Sequence, residues 1–247
     1  MPLVRDIRAA VSSLDREAAV VLLSIPIVMT TLWYFGRPGF YDDNLAALVP
    51  ADWPLARMYP FFFFSLSCVV LRIGVTVALA PLIGRRPGDL GWRPPARWDL
   101  AWGYAALFLA VLPFVWYAST LPSFQERYPF CNEAVVEGRI SLRDFLIYQL
   151  FYGLIFLSGE SYWRGFVVFG LRRSMGYLGV LVMVIPYCMS HYGKPPAEAY
   201  AAILTGCVLG VLALAHRSFW LGVAVHWAVA IVMDVLAIVQ RGIEFTT

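Results

Sequence analysis

Six side chains of costly type stand inside otherwise apolar stretches of this sequence: Arg72, Glu160, Arg164, His191, His226 and Asp234. Charged and imidazole groups are expensive in lipid, so there they mark function more often than in a soluble protein. Glu160 and Arg164, in GESYWRGF, are four residues apart and share one helix face, acid before base, the more favourable order. As a structural pair they make both charges tolerable; as a functional pair they offer a polarised carboxylate able to act as a general base. His191 closes the next apolar stretch in YCMSHYGKPP, and His226 lies inside the last one in GVAVHWAVAIVMD. Singly, the first reads as an interfacial cap and the second as a helix-packing hydrogen bonder. Together, one Glu and two His on three apolar helices can activate a water for hydrolysis. Two His and a Glu can also complete a three-ligand zinc site with one open position. Asp234 follows His226 by eight residues, about 80° further round a helix, where it can orient a partner side chain or lie at the outer interface. Arg72 can snorkel or pair within the bundle and is given no chemistry.

The elements that must hold these groups are membrane helices. Of 247 residues, 60% are hydrophobic, 16% aromatic and only 14% charged. Ordinary soluble domains carry roughly 25% charged residues, so lipid must cover the surplus apolar surface. Apolar stretches at approximately 19–35, 58–83, 98–118, 143–172, 176–192, 197–215 and 219–239 each reach or approach the 17–25 residues that a bilayer of about 30 Å requires. The expectation is an all-α, polytopic transmembrane bundle of about seven helices, one integral membrane domain over 1–247. The charged lead, 1–18, has apolar residues at roughly helical spacing and reads as an interfacial helix. With no small-residue cleavage site after it, 19–35 reads as a retained anchor. Linkers are expected to be short, with RRPGDLGWRPP and HYGKPP as turns. Arginines favour the side shared by the N-terminus and the Arg85, Arg86, Arg93 and Arg97 cluster, which predicts an N-terminus inside. The net charge of +3 leaves no basic surface for nucleic acid. Cys68, Cys131, Cys188 and Cys207 show no metal or disulfide spacing, and Cys131 alone sits in a polar loop.

At these polar residues the chain resembles the CAAX protease and bacteriocin-processing (CPBP, or Abi) family of intramembrane proteases. The family pattern is Glu-Glu-x-x-x-Arg, then Phe-x-x-x-His, then His-x-x-x-Asn on successive helices. Here it becomes Gly159-Glu160-Ser161-Tyr162-Trp163-Arg164, Tyr187-Cys188-Met189-Ser190-His191 and His226-Trp227-Ala228-Val229-Ala230. Gly165 and Phe166, and the segment RRPGDLGWR, also look familial, and the core of the resemblance covers 143–240. Two departures stand out: Gly159 replaces the first Glu, which activates water in relatives, and Ala230 replaces an Asn that helps hold the oxyanion.

The resemblance implies an intramembrane endopeptidase acting on a membrane-associated protein or peptide. Glu160, assisted by His191, would deprotonate a water, and His226 would donate to the oxyanion. Arg164 would hold Glu160 in place, with Asp234 as a supporting residue. It implies no metal or other cofactor, against the zinc alternative above. The two departures motivate a different reading, a proteolytically inactive scaffold or immunity and regulatory protein of the same fold. A transporter with buried charges lining a solute path is a third, though no repeat of broken helices supports it. The Arg, Ala, Pro and Gly bias suggests a bacterial source, and hence the inner membrane.

Overall fold

The computed structural model describes residues 3–6 and 12–246. Of the charged lead, 3–6 are helical, whereas 1, 2 and 7–11 lie outside the described residues. Helix α1 (Arg16–Phe35) starts where Asp15 accepts the Ala18 amide at 3.0 Å, capping its first turn. After a short α2 (Pro38–Asn44), α3 (Tyr59–Leu79) returns, followed by the 85–97 loop, α4 (Trp102–Ser119) and a single turn, α5 (Pro122–Gln125). Strand β1 (Arg139–Ser141) leads into α6 (Leu142–Glu160), whose cap is Ser141, accepting from the Asp144 amide. The chain continues without a break through a π-helical segment, Ser161–Phe169, into α7 (Gly170–Met175). Helices α8 (Leu178–Met189), α9 (Pro196–His216) and α10 (Trp220–Gln240) follow, and β2 (Glu244–Thr246) pairs in parallel with β1.

Among the described residues, five helices are long and apolar enough to cross a membrane: Arg16–Phe35, Ala56–Ile83, Trp98–Ser119, Pro196–His216 and Trp220–Gln240. The two other expected spans take different forms. Residues 142–175 form a rod whose π-helical part is buried at all nine positions, so protein rather than lipid surrounds it. Helix α8 has 12 residues, about 18 Å at 1.5 Å per residue. That is shorter than a bilayer core of about 30 Å.

Two sets of contacts define the ends of the bundle. At one end, Glu17 in the first turn of α1 meets Arg85 at 2.6 Å, and the amide of Ala96 donates to the carbonyl of His216. At the other, β1 meets β2 and the 122–134 connection packs over α6, α9 and α10. Outward-facing Leu23, Ile27, Val70, Phe114, Ile185 and Leu204 are exposed, as lipid contact requires. The interior gathers Val21, Ile25 and Val28 of α1, Met183 and Val184 of α8, and Ala213 and Leu214 of α9 around Tyr162, Trp163 and Phe166.

The 122–134 connection departs from the short linkers expected. Tyr128, Cys131 and Ala134 are buried against Met58, Phe61, Tyr148 and Tyr152 or their neighbours. Burial, followed by the nearby Glu133 charge, pushes the Cys131 thiol above its ordinary range.

Candidate active site

Glu160 ends α6 and Arg164 lies one turn into the π-helical segment, with Arg164 Nη1 3.0 Å from Glu160 Oε1. The approach is an ion pair off the hydrogen-bond axis. The guanidinium also stacks over the Tyr187 ring, its Cζ 4.1 Å from the centroid. Both members are 1% exposed. A buried pair of this kind contributes little net stability, but removing one partner strands the other. Short π-helical stretches occur often at functional sites, where the i→i+5 turn re-aims side chains.

Helix α10 brings His226 to the pair. His226 Nδ1 is 2.9 Å from Glu160 Oε1, and its ring lies against Phe156 at 4.6 Å between centroids. A carboxylate paired with a guanidinium only accepts, so Nδ1–H donates and Nε2 carries the imidazole lone pair. Two glycines permit this approach. A Cβ on Gly222 would stand 2.8 Å from Glu160 Oε2, and one on Gly153 would stand 2.8 Å from the Trp227 ring.

A cavity of about 310 Å³ opens beside these helices. His226, His191, Tyr187 and Ala230 line it together with Lys194 and Glu198. Its apolar walls come from Val111 and Val115 of α4, Phe124 and Met233. The exposures separate the roles: the His226 side chain is 26% exposed and Glu160 1%. Glu160 therefore stands behind His226 and reaches the cavity through it. His191 occupies another part of the wall, with Nδ1 2.9 Å from the Tyr187 carbonyl. That carbonyl accepts, so His191 Nε2 is likewise the lone-pair nitrogen. Among the described residues, no three His, Cys, Asp or Glu side chains stand together as a metal-ligating set.

Asp234 lies elsewhere. It is fully buried and accepts from the Phe130 amide at 2.9 Å, from Gln149 Nε2 at 2.8 Å and from the Tyr148 hydroxyl. Its partner groups are those of the 122–134 connection and α6, so it holds the cavity's cover rather than a reacting group.

Sequence reasoning passed over Lys194, Glu198 and Tyr128. Lys194 Nζ is 2.5 Å from Glu198 Oε1, and the Tyr128 hydroxyl donates to Glu198 Oε2 at 2.6 Å. Burial and the Glu198 charge hold the Tyr128 phenol well above its usual range, so it remains a donor. The HYGKPPAE run hinted at this cluster, since Lys194 and Glu198 have i,i+4 spacing. The third histidine, His216, is buried edge-on to Tyr104 at 5.2 Å and is not a wall residue of the cavity.

The two departures from the family pattern also have definite surroundings. Ala230, one turn after His226, is on the cavity wall and offers no donor. A Cβ at Gly159 would lie 3.5 Å from Arg72 Nη1. Arg72 is itself buried, with one long bond of 3.4 Å to the Ile155 carbonyl.

Residues 141–232 match the Rce1-like model, type II CAAX prenyl endopeptidase Rce1-like. The match is consistent with the CPBP family. The matched stretch runs from the cap of α6 into α10 and contains Glu160, Arg164, His191 and His226, and Asp234 falls just beyond it. No curated protein and no solved structure matches the chain.

Proposed function

We propose that the protein is an intramembrane endopeptidase that hydrolyses a peptide bond of a membrane-associated protein or peptide, using water activated at His226 under the control of Glu160. The observation that carries this reading is the Glu160–His226 contact behind a largely apolar cavity, within a stretch resembling type II CAAX prenyl endopeptidases. A carboxylate fixing one imidazole nitrogen so that the other serves as base is the arrangement of Asp and His in serine hydrolases. Here the nucleophile would be water.

The chemistry balances as follows. Water gives a proton to His226 Nε2 while its oxygen bonds to the scissile carbonyl carbon. His191 Nε2 accepts from the same water and orients it. Lys194 is the ammonium on the cavity wall able to meet the developing oxyanion. Collapse of the tetrahedral intermediate breaks the C–N bond, and the His226 imidazolium returns its proton to the leaving amine. Glu160 and Arg164 take no part in covalent change; Glu160 orients His226 and stabilises its charged form. Relative to the roles that the resemblance alone implies, His226 takes the base's part from Glu160 and Lys194 takes the oxyanion's partner role from His226, because the base must reach the cavity. No step requires a metal. The setting we assign is a bacterial inner membrane, motivated by the Arg, Ala, Pro and Gly bias, with the N-terminus inside, motivated by the arginine distribution.

The test compares membrane-protein termini by mass spectrometry in a deletion strain carrying wild type or His226→Ala at matched abundance. New termini confined to wild type are expected, with a loss of about 10²–10⁴-fold in the variant. Gly159 facing Arg72, and Ala230 lacking a donor, favour a second reading, a non-catalytic scaffold. Identical termini with full rescue by both versions would support that reading instead.

A further inference from the structure

At the end of the bundle where α1 begins, the 85–93 loop, the end of the rod and the turn after α9 converge on a pocket of about 290 Å³. Arg85, Arg93, Arg172, Arg173 and Arg217 line it, and Asp89 is the acid among its wall residues. One Asp89 oxygen, Oδ2, already accepts the Arg86 amide at 3.0 Å. Glu17 lies 2.6 Å from Arg85 and 3.8 Å from Arg173. Five guanidinium groups thus face two carboxylates, and a concave surface with one sign of charge concentrates the opposite ion.

Hydrogen bonds between the 85–93 loop and the turn after α9 hold two walls of the pocket together. Arg93 Nε donates to the Arg217 carbonyl at 3.0 Å, and Ser218 Oγ donates to the Arg93 carbonyl at 2.7 Å. Arg217 is held at φ 55°, the left-handed region that a residue with a Cβ rarely adopts. Phe169, the last residue of the π-helical segment, adds an apolar wall. Trp98, Trp102 and Tyr177 are exposed at the same end. Such aromatics settle at headgroup depth.

We propose that this pocket binds a phosphate-bearing anion, either the headgroup of an anionic phospholipid or free phosphate. Guanidinium groups present planar pairs of donors that match phosphate oxygens, and basic pockets between membrane helices hold anionic headgroups. The site is separate from the cavity at His226, and binding is read without any peptidase assay.

The test is native mass spectrometry of the full-length detergent-purified protein, titrated separately with phosphatidylglycerol, phosphatidylcholine and inorganic phosphate. Wild type is compared with Arg172→Gln/Arg217→Gln and with Arg139→Gln/Arg143→Gln, which removes two charges at the opposite end. Retention of phosphatidylglycerol over phosphatidylcholine, reduced tenfold or more only in the first variant, supports the proposal with lipid as the source. Equal retention of inorganic phosphate, lost in the same variant, supports it with free phosphate as the source. No anion retained above phosphatidylcholine, or equal loss in both variants, overturns it. Matched thermal midpoints show that the first variant is folded; if it is not, the single variant Arg172→Gln is read in the same way, with about a fivefold loss expected.

Discussion

The proposed chemistry depends on a few ångströms around Glu160. Arg164 stacks on Tyr187 and faces Glu160 in surroundings that exclude solvent, so Arg164→Met strands a buried carboxylate. The expected loss is about 3–5 kcal/mol, read by thermal unfolding in detergent. Gly222→Ala puts a methyl 2.8 Å from Glu160 Oε2. Displacing that carboxylate by about 1 Å should lower cleavage by about 10²-fold, while the protein still reaches the membrane. Gly159→Glu should act differently, because position 159 faces Arg72 rather than the cavity. Cleavage is expected to change by less than about threefold, and a large gain would show that the new carboxylate reaches the scissile bond. Glu160, Arg164, His191 and His226 could be singled out from type and spacing, whereas Lys194, Glu198 and Tyr128 of the cavity wall could not. Gly222 was not, since a glycine inside an apolar helix gives no sign of which helix it lets approach. The position of Glu160 behind His226 was also hidden, because spacing puts Glu160 and Arg164 on one face without saying whether that face meets the cavity.

Among the elements, the long helices followed from hydrophobic length. The π-helical segment did not, because its extra residue per turn is stabilised by packing from α1, α8 and α9 rather than by any local sequence period. The 122–134 connection was also obscured. Its Arg127, Glu133 and Asn132 look like a solvated loop, yet Asp234 and Glu198 reach up from α10 and α9 to anchor it. Asp234→Ala removes the acceptor for the Phe130 amide, Gln149 and Tyr148, at a cost of about 2 kcal/mol or more. The buried Cys131 thiol, raised above its usual range, reports on this region. Wild type should resist maleimide at neutral pH and react at Cys131 only on unfolding. Asp234→Ala should speed that reaction; an unchanged rate would mean the anchor lies elsewhere.

At the scale of the molecule, the chain resembles an enzyme wrapped in its own solvent barrier. Lipid-facing leucines and aromatics surround a rod that carries the Glu160–Arg164 pair, and α8 and α9 close one side of the cavity. The all-α membrane bundle was legible in the sequence. Among the described residues, however, five helices rather than seven are long and apolar enough to span, and the shielding of the rod by protein was not legible. Apolar composition alone does not distinguish a lipid-facing helix from one buried among helices. The arginine cluster 85–97 and β1 lie at opposite ends of the bundle. Arg86→Cys and Arg139→Cys, each in a background lacking the native cysteines, should therefore react with an impermeant reagent from opposite faces of sealed vesicles. Labelling of both from one face would contradict the fold.

The central claim is that Glu160 acts through His226, and a double-mutant cycle on the cleaved substrate tests it most directly. Glu160→Gln, His226→Ala and the double variant are compared at equal abundance in the membrane. The two lesions should be non-additive, the double variant being no slower than His226→Ala alone, as expected of residues that act as a unit. Undiminished cleavage by Glu160→Gln, or losses that multiply in the double variant, would contradict it.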